Sequence, residues 1–265
     1  MRACATEEGK VLIDEVFSRP TVKTAIFQIR FPNLFYLESK IGEMQIKIMD
    51  EFPESSLQIR RNILFADLGP NVSFKDLPSE LAPEPTNKIW QFKSPKGYEL
   101  NVLADSLDIT SQLHKSYDRP EAENRFRDTI QKVVSSFLEV TRIPTISRIG
   151  LRYINECPIT EKKSDIFREY YDTTFPLARF PIENASEMVF RAVTRRDVLQ
   201  LGYSESLQKK GDEYKLIIDI DAFTVDIRAD GYLSVCDELH HLVVSEFGAS
   251  IKKPVIDYMR GIDNV

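Results

Sequence analysis

The chain has 265 residues, of which 42% are hydrophobic and 29% charged, and its formal net charge is −6 at pH 7. This composition is typical of a soluble globular protein, and the acidic balance disfavours general nucleic-acid binding, which usually needs a basic face. No apolar run approaches the ~20 residues that a membrane helix needs. The N-terminus lacks the apolar segment of a secretory signal, and the three cysteines form no CxxC motif. We therefore expect a cytoplasmic protein that makes no contact with a membrane.

The first part of the chain, after a flexible lead-in at residues 1–17, predicts a strand, a helix, several strands and a second helix. Apolar residues alternate over residues 21–31, which favours a strand, and recur at three- and four-residue steps over residues 37–52, which favours a helix. Further strands are predicted at residues 57–65, 89–93, 98–104 and 107–113, with a proline-rich surface loop at residues 69–88. Asp118 and Glu121 form a capping box that predicts the start of the second helix.

The second part of the chain repeats this order of elements. It predicts a strand at residues 146–155, a short helix at 164–171, strands at 187–193, 198–205, 214–220 and 223–227, and a helix at 234–247. Gly248 is placed to end that helix, because glycine readily adopts the left-handed conformation found at helix C-termini. A last short helix is expected around residues 255–259.

The opening strands of the two parts carry matching sequences, TAIFQIRF at residues 24–31 and SRIGLRYIN at residues 147–155. Aligning Arg30 with Arg152 places apolar residues on the same face of both strands, because side chains alternate with a period of two. We therefore predict an α+β fold of two fused similar halves, residues 18–145 and 146–265, each ordered strand–helix–strands–helix. This order is similar to the tandem arrangement of TATA-binding-protein-like folds, an analogy of topology that carries no function.

Several stretches of the sequence resemble a sporadically distributed prokaryotic family of roughly this length. They are PTVKTAIFQIRF at residues 20–31, ISRIGLRYIN at 146–155, IIDIDAF at 217–223, and Leu239-His240 in the last long helix. The central RIGLRYIN is the most specific of these, whereas the first strand departs from the usual Val/Glu-rich pattern. The resemblance implies no catalytic residues, because none is established for the family. Its patchy occurrence is similar to that of mobile-element, toxin–antitoxin or phage-defence components.

Three arginines and a glycine share the predicted outward face of the two opening strands. They are Arg30, Arg148, Gly150 and Arg152. Guanidinium groups bind carboxylate or phosphate through two parallel hydrogen bonds, and Gly150 removes a side chain between two of them. We predict that these residues bind an acidic protein segment or a small anion, with the product of a neighbouring gene as the candidate partner. The alternative is that the arginines form cross-strand salt bridges on a solvated sheet face.

Asp219 and Asp221 share one strand face in the sequence KLIIDIDAF. Two such carboxylates can hold a hard cation such as Mg²⁺; the alternatives are a solvated face or pairing with Arg30 or Arg152 across the sheet. Cys236 lies four residues before His240 on the last long helix, a spacing that would suit two metal ligands or a thiol–imidazole pair. A partly buried, inert cysteine is the simpler interpretation, and we predict no metal and no cofactor.

The sequence contains none of the motifs GxSxG, GxGxxG or Walker A that accompany nucleophilic catalysis and nucleotide binding. Together with the family resemblance, this favours a non-catalytic binding or regulatory protein of a prokaryotic defence or toxin–antitoxin-type system, acting through a protein partner. One alternative is a metal-dependent phosphoester or nucleotide enzyme that uses Asp219 and Asp221. The other is nucleic-acid binding on the sheet face.

Overall fold

The computed structural model describes residues 16–61, 86–113, 116–210 and 213–262. Within these ranges, nine strands form one antiparallel sheet and five α-helices complete a mixed α+β fold. The strands are β1 (Val22–Arg30), β2 (Glu54–Arg61), β3 (Thr86–Lys93), β4 (Tyr98–Val102), β5 (Ser106–Ser111), β6 (Thr145–Cys157), β7 (Met188–Arg196), β8 (Leu199–Lys210) and β9 (Glu213–Arg228). The helices are α1 (Leu37–Ile48), α2 (Phe126–Thr141), α3 (Ser164–Tyr170), α4 (Tyr232–Ser250) and α5 (Lys253–Arg260). Across the sheet the strand order is β2-β3-β4-β5-β1-β6-β9-β8-β7.

The sheet extends in both directions from β1 and β6, which pair at its centre. Phe27 lies opposite Leu151 and Ile29 lies opposite Ile149, and all four side chains are fully buried. Because side chains alternate along a strand, this register directs the apolar residues of both strands to the same side of the sheet. Buried residues of all five helices join them there in one hydrophobic core. The other side of the sheet carries no helix in the described ranges.

Most elements predicted from periodicity are present, with shifts of a few residues at their ends. The strand predicted at residues 21–31 is β1, the hairpin at residues 89–104 is β3 and β4, and the short helix at residues 164–171 is α3. These elements combine a strong local period with clear turn or proline boundaries, which is why the sequence locates them well.

Other predictions fall wholly or partly outside the described residues. These are the lead-in up to residue 15, the last part of the strand predicted at residues 57–65, and the surface loop as far as residue 85. Residues 86–88, which we assigned to that loop, belong to β3. Pairing of β3 with β2 extends the strand beyond the part that its own sequence indicates.

The start of α2 differs from the prediction. The helix begins at Phe126, so the capping box of Asp118 and Glu121 is wrong. The carbonyl groups of Ser116 and Tyr117 accept the first two amides of the helix instead, at 3.1 and 2.9 Å. The segment before α2 therefore folds back over the helix start, because unpaired amides at a helix N-terminus must find acceptors.

The strands predicted separately at residues 214–220 and 223–227 are one continuous strand, β9. Ile220, Ala222 and Thr224 all point to the core, so the period-two alternation runs through the supposed break. β9 pairs with β6 on one side and β8 on the other, and this double pairing keeps the whole segment extended.

Gly248 does not end α4, which continues to Ser250. The helix stops where Ile251 becomes extended and forms an isolated bridge with Tyr171. A glycine inside a helix costs roughly 1 kcal/mol relative to alanine but does not by itself terminate the helix. The tertiary contact with the segment after α3 therefore determines the end of α4.

Replacement of Leu151 by alanine should destabilise the whole sheet, because this side chain is fully buried at the central strand pair. We expect a loss of about 2–5 kcal/mol in the free energy of unfolding. Trp90, the single tryptophan, lies on β3, next to the strand at one end of the sheet. Denaturation can be followed by the fluorescence of Trp90 and by far-UV circular dichroism. Both signals should show a single transition, and the Leu151→Ala substitution should shift it by the same amount in each.

Val189→Ala is the control for this experiment, since Val189 is 61% exposed on β7. It should change the free energy of unfolding by less than about 0.5 kcal/mol. Two separate transitions, or a shift confined to one signal, would show that the parts of the chain unfold independently.

Candidate interaction surface

The side of the sheet without helices, here called the open face, carries polar side chains across much of its width. In β6, Arg148 and Arg152 are partly exposed, whereas Ile149 and Leu151 between them are fully buried. The middle of this face holds a cluster that we call the arginine centre. It consists of Arg30, Arg148 and Arg152 with their neighbours Gln28, Gly150, Asp219, Asp221 and Phe223. The sheet thus brings together the four residues that the sequence placed on one face.

Arg148 makes the most contacts within the arginine centre. Its Nη2 donates a hydrogen bond to Oδ2 of Asp221 at 2.9 Å, and its Nη1 donates to Oε1 of Gln28 at 3.2 Å. Its Cζ lies 4.4 Å from the ring centroid of Phe223, within range of a cation–π interaction. The side chain, 20% exposed, therefore connects β1, β6 and β9 across the open face.

Gly150 provides the space that the guanidinium group of Arg148 occupies. A Cβ atom at residue 150 would lie 2.8 Å from Nη1 of Arg148 and 3.2 Å from its Cζ, closer than side chains normally pack. We expected Gly150 to leave room for an approaching ligand, but in this structure Arg148 fills that room. Gly150 is therefore a positioning residue, and the surface offered to a ligand at this point is a guanidinium group.

Burial controls the charge balance of the Arg148–Asp221 pair. It lowers the pKa of Arg148, an effect that Asp221 opposes and that the nearby charges of Arg30 and Arg152 reinforce. Burial also raises the pKa of Asp221, against the attraction of the two arginines of β6. For both side chains, the loss of hydration disfavours the charged form more than their mutual attraction favours it. The pair therefore adds little to the free energy of unfolding, although removing one partner would leave a buried charge unpaired.

Arg152 and Arg30 are the more exposed members of the centre. Nε of Arg152 donates to Oδ1 of Asp219 at 2.7 Å, and this hydrogen bond raises the pKa of Arg152. Nε of Arg30 donates to Gln28 at 3.1 Å, whereas its terminal nitrogens make no hydrogen bond to any residue that the structure describes. Arg30 is therefore the member best placed to receive a carboxylate from a partner.

Asp219 and Asp221, the alternative metal ligands, are each held by an arginine of β6. Pairing across the sheet, the alternative to a metal site, is present: Arg152 binds Asp219, although Arg148 rather than Arg30 binds Asp221. Among the described residues, no three His, Cys, Asp or Glu side chains are grouped so that they could hold a metal ion. A cation at these carboxylates would compete with two guanidinium groups for the same oxygens.

Hydrogen-bonded amide and carboxylate side chains continue the open face from the arginine centre toward β2. Gln58 donates to Gln91 at 2.9 Å, and Gln91 donates to Glu99 at 2.8 Å. Asn101 donates to Asp108 at 3.0 Å, on the strand next to β1. We call these five residues the polar ladder. Because they come from four different strands, no local sequence pattern identifies them.

A second polar site lies on the helix side, where α4 approaches the start of α2, in a cleft of about 300 Å³. Arg127 binds Asp237 through two hydrogen bonds, of 2.7 and 2.8 Å, and Tyr117 donates a third at 2.8 Å. His240 stacks on Tyr117 with ring centroids 4.0 Å apart, and its Nδ1 lies 3.0 Å from the hydroxyl of Tyr153. Sequence reasoning missed this cluster because Tyr117 and Asp237 are 120 positions apart.

Both arginines of this cleft are paired with carboxylates. Burial would raise the pKa of Asp237, but hydrogen bonds from Arg127 and Tyr117 outweigh it and hold the pKa below its usual value. The second guanidinium group of the cleft, from Arg125, is paired with Asp128. The geometry therefore links α2 to α4 and leaves neither arginine to receive an anion.

Cys236 and His240 share a face of α4, as their spacing predicts, but they do not form a reactive pair. Cys236 is fully buried, and burial raises the pKa of its thiol to about 12. A thiol must ionise to act as a nucleophile or metal ligand, so this environment favours the inert cysteine. His240 contacts two tyrosines instead, and His114 lies outside the described residues.

Comparison with known proteins gives no match: the sequence fits no protein-family model and resembles no curated protein or solved structure closely enough to be matched. Among the described residues, every helix is too short or too polar to cross a membrane.

Substitution of Asp237 by asparagine should lower the free energy of unfolding by about 1–3 kcal/mol at neutral pH, because it weakens charge-assisted hydrogen bonds from Arg127. Folding lowers the pKa of Asp237. Its stabilising contribution is therefore present above the unfolded-state pKa and is lost as the pH falls through the lower folded-state value. The difference between wild type and Asp237→Asn, measured by urea denaturation, should shrink below about pH 4.

Asp230→Asn is the control for that measurement, since it removes an ion pair with Arg228 in which both side chains are highly exposed. It should leave the free energy of unfolding nearly unchanged, because solvent screens an exposed ion pair. A difference for Asp237→Asn that stays constant down to low pH would show that the carboxylate charge does not contribute.

Alanine substitution at Asp221 and at Asp219 should lower the free energy of unfolding by different amounts. Asp221→Ala leaves Arg148 without its carboxylate in a mostly buried position and should cost about 1–3 kcal/mol. Asp219→Ala removes a more exposed pairing and should cost about 0–1 kcal/mol.

Mg²⁺ should leave the melting temperature of the wild type unchanged. A rise with Mg²⁺ that disappears in Asp219→Ala would instead identify a metal site.

Proposed function

We propose that this protein is a non-catalytic binding or regulatory protein that acts through a protein partner held on the open face of the sheet. The family resemblance favours a component of a prokaryotic defence or toxin–antitoxin-type system, with the partner encoded by a neighbouring gene. The observation that carries the proposal is a broad face with no helix over it in the described ranges, whose side chains are ordered by their own hydrogen bonds. Such a surface loses little conformational entropy when a partner binds.

The charges of the arginine centre and the polar ladder fit a protein partner better than a nucleic acid. Two of the three guanidinium groups in the arginine centre are neutralised by Asp219 and Asp221, and Glu99 and Asp108 of the polar ladder add negative charge beside them. Nucleic-acid binding depends on basic groups that replace counterions along the phosphates, whereas this chain has a net charge of −6. A protein segment can use the amides and carboxylates of the ladder as well as Arg30.

A metal-dependent phosphoester or nucleotide enzyme that uses Asp219 and Asp221 is the other function considered from the sequence. Both carboxylates are engaged by guanidinium groups, and burial raises the pKa of Asp221. A metal ion would have to displace both guanidinium groups from the carboxylate oxygens. We therefore retain the binding role.

We also propose that the two parts of the chain are copies of one half-domain, in an order similar to TATA-binding-protein-like folds. From the central pair outward, the strand order is β1-β5-β4-β3-β2 on one side and β6-β9-β8-β7 on the other. Each part thus has its opening strand innermost and its last strand next to it. Gln28 lies opposite Gly150, and a twofold axis through that pair would relate Arg30 to Arg152. The arginine centre would then contain one equivalent guanidinium group from each part.

An exchange of charges between Arg152 and Asp219 tests partner binding separately from folding. Arg152→Asp combined with Asp219→Arg keeps a cross-strand ion pair, so the free energy of unfolding should change by less than about 1 kcal/mol. The exchange moves the positive charge to another strand, and it should weaken binding of the neighbouring gene's product about tenfold or more. Isothermal titration calorimetry with the two purified proteins measures the affinity.

Lys40→Glu combined with Glu43→Lys is the matched control, because it exchanges an ion pair on α1, on the helix side. It should leave the affinity unchanged. Arg30→Gln removes an exposed guanidinium and provides a second test if the exchanged variant does not fold. Wild-type affinity in both variants would reject the arginine centre. Binding of an oligonucleotide that is lost on the same exchange would identify a nucleic-acid surface instead.

A further inference from the structure

β7 is the outermost strand of the sheet, and one of its two edges is unpaired in the described part of the chain. It pairs with β8 over its whole length of nine residues with no shift in register. Natural edge strands are usually protected by prolines, bulges, short length or charged side chains, and β7 has only the last of these, in its three arginines. Its outer edge therefore presents a row of main-chain donors and acceptors.

The side chains of β7 are also uncovered on both faces of the sheet. Val189 and Val193 are 61% and 60% exposed on the open face, and Phe190 is 37% exposed on the helix side. Exposed branched and aromatic side chains of this kind favour extended pairing, because they pack against the side chains of a neighbouring strand. The strand is therefore suited to a further neighbour.

β7 carries a local excess of positive charge. Arg191, Arg195 and Arg196 give it a charge of +3 in a chain whose net charge is −6. Among described residues, Arg196 reaches Glu246 at 3.8 Å, Arg195 donates to the main-chain oxygen of Asp197 at 2.8 Å, and Arg191 makes no side-chain hydrogen bond or ion pair. Arg191 and Arg195 lie four positions apart and so project from the same face of the strand.

We infer that the unpaired edge of β7 binds an extended acidic segment of a partner protein as a tenth strand of the sheet. This inference rests on the proposed function, because it names the chemistry and the docking mode of the partner. Main-chain hydrogen bonds would attach the segment, and carboxylates at alternate positions would face Arg191 and Arg195. A second copy of this chain is a poor occupant, because β7 paired with itself brings two arginine-rich strands together and like charges repel.

A fluorescent octapeptide that alternates glutamate with valine or threonine is the probe, and fluorescence anisotropy with the full chain measures its binding. Arg191→Glu combined with Arg195→Glu should weaken binding about tenfold or more, at an unchanged melting temperature because both side chains are exposed. Lys23→Glu combined with Arg142→Glu reverses two exposed charges elsewhere and should not alter the affinity. N-methylation of alternate residues keeps the charges of the peptide but removes backbone donors, and it should also weaken binding about tenfold.

Strand addition is overturned if the wild type does not bind the peptide, or if it binds the N-methylated form or a lysine analogue equally well. A wild-type dimer seen by analytical ultracentrifugation and abolished by Val193→Pro would assign the edge to a second copy. The proposed function is tested separately. Binding of the neighbouring gene's product that depends on Arg152 and Asp219, but not on Arg191 and Arg195, would retain that function and reject β7 as its docking edge.

Discussion

The antiparallel pairing of β1 with β6 is the interaction on which the rest of the structure depends. A slip of one residue in this register would turn Phe27 or Leu151 toward solvent and move arginines toward the core. Main-chain hydrogen bonds and apolar burial therefore favour the same alignment. The open face follows from that alignment, because once the apolar residues meet the helices, Arg148 and Arg152 must project from the opposite side.

The arginine centre is well ordered, yet it contributes little to stability. Arg148 links β1, β6 and β9, but desolvation disfavours its charge and that of Asp221. Exposed pairs such as Arg152 with Asp219 contribute about 0–1 kcal/mol to the free energy of unfolding. Because residue 150 has no side chain, the guanidinium group of Arg148 can lie close to the position that a Cβ atom there would take. Polar order of this kind, with no large stabilising effect, is compatible with the binding role proposed for the open face.

The helix layer joins the two parts of the chain a second time. Arg127 on α2 binds Asp237 on α4, and the hydroxyl of Tyr232 on α4 donates to the main-chain oxygen of Gln131 on α2 at 3.2 Å. Both layers of the fold therefore cross between the first and second parts, the sheet through β1 and β6 and the helices through α2 and α4. The open face rests on one continuous core rather than on two separate ones.

The sequence by itself determined which segments are extended and which are helical. It also determined from which face of β1 and β6 the arginines project. Both follow from local properties, namely the period of the apolar residues and the alternation of side chains along a strand. The partners of those arginines were decided by the tertiary structure. Arg148 meets Asp221 across 73 positions and Arg127 meets Asp237 across 110, so no local pattern could reveal either pair. The start of α2 depends on hydrogen bonds to Ser116 and Tyr117, ten positions earlier in the chain, and the continuity of β9 depends on its pairing with β6 and β8. Local sequence specifies conformation and face, whereas the contacts that form a site depend on how the whole chain packs.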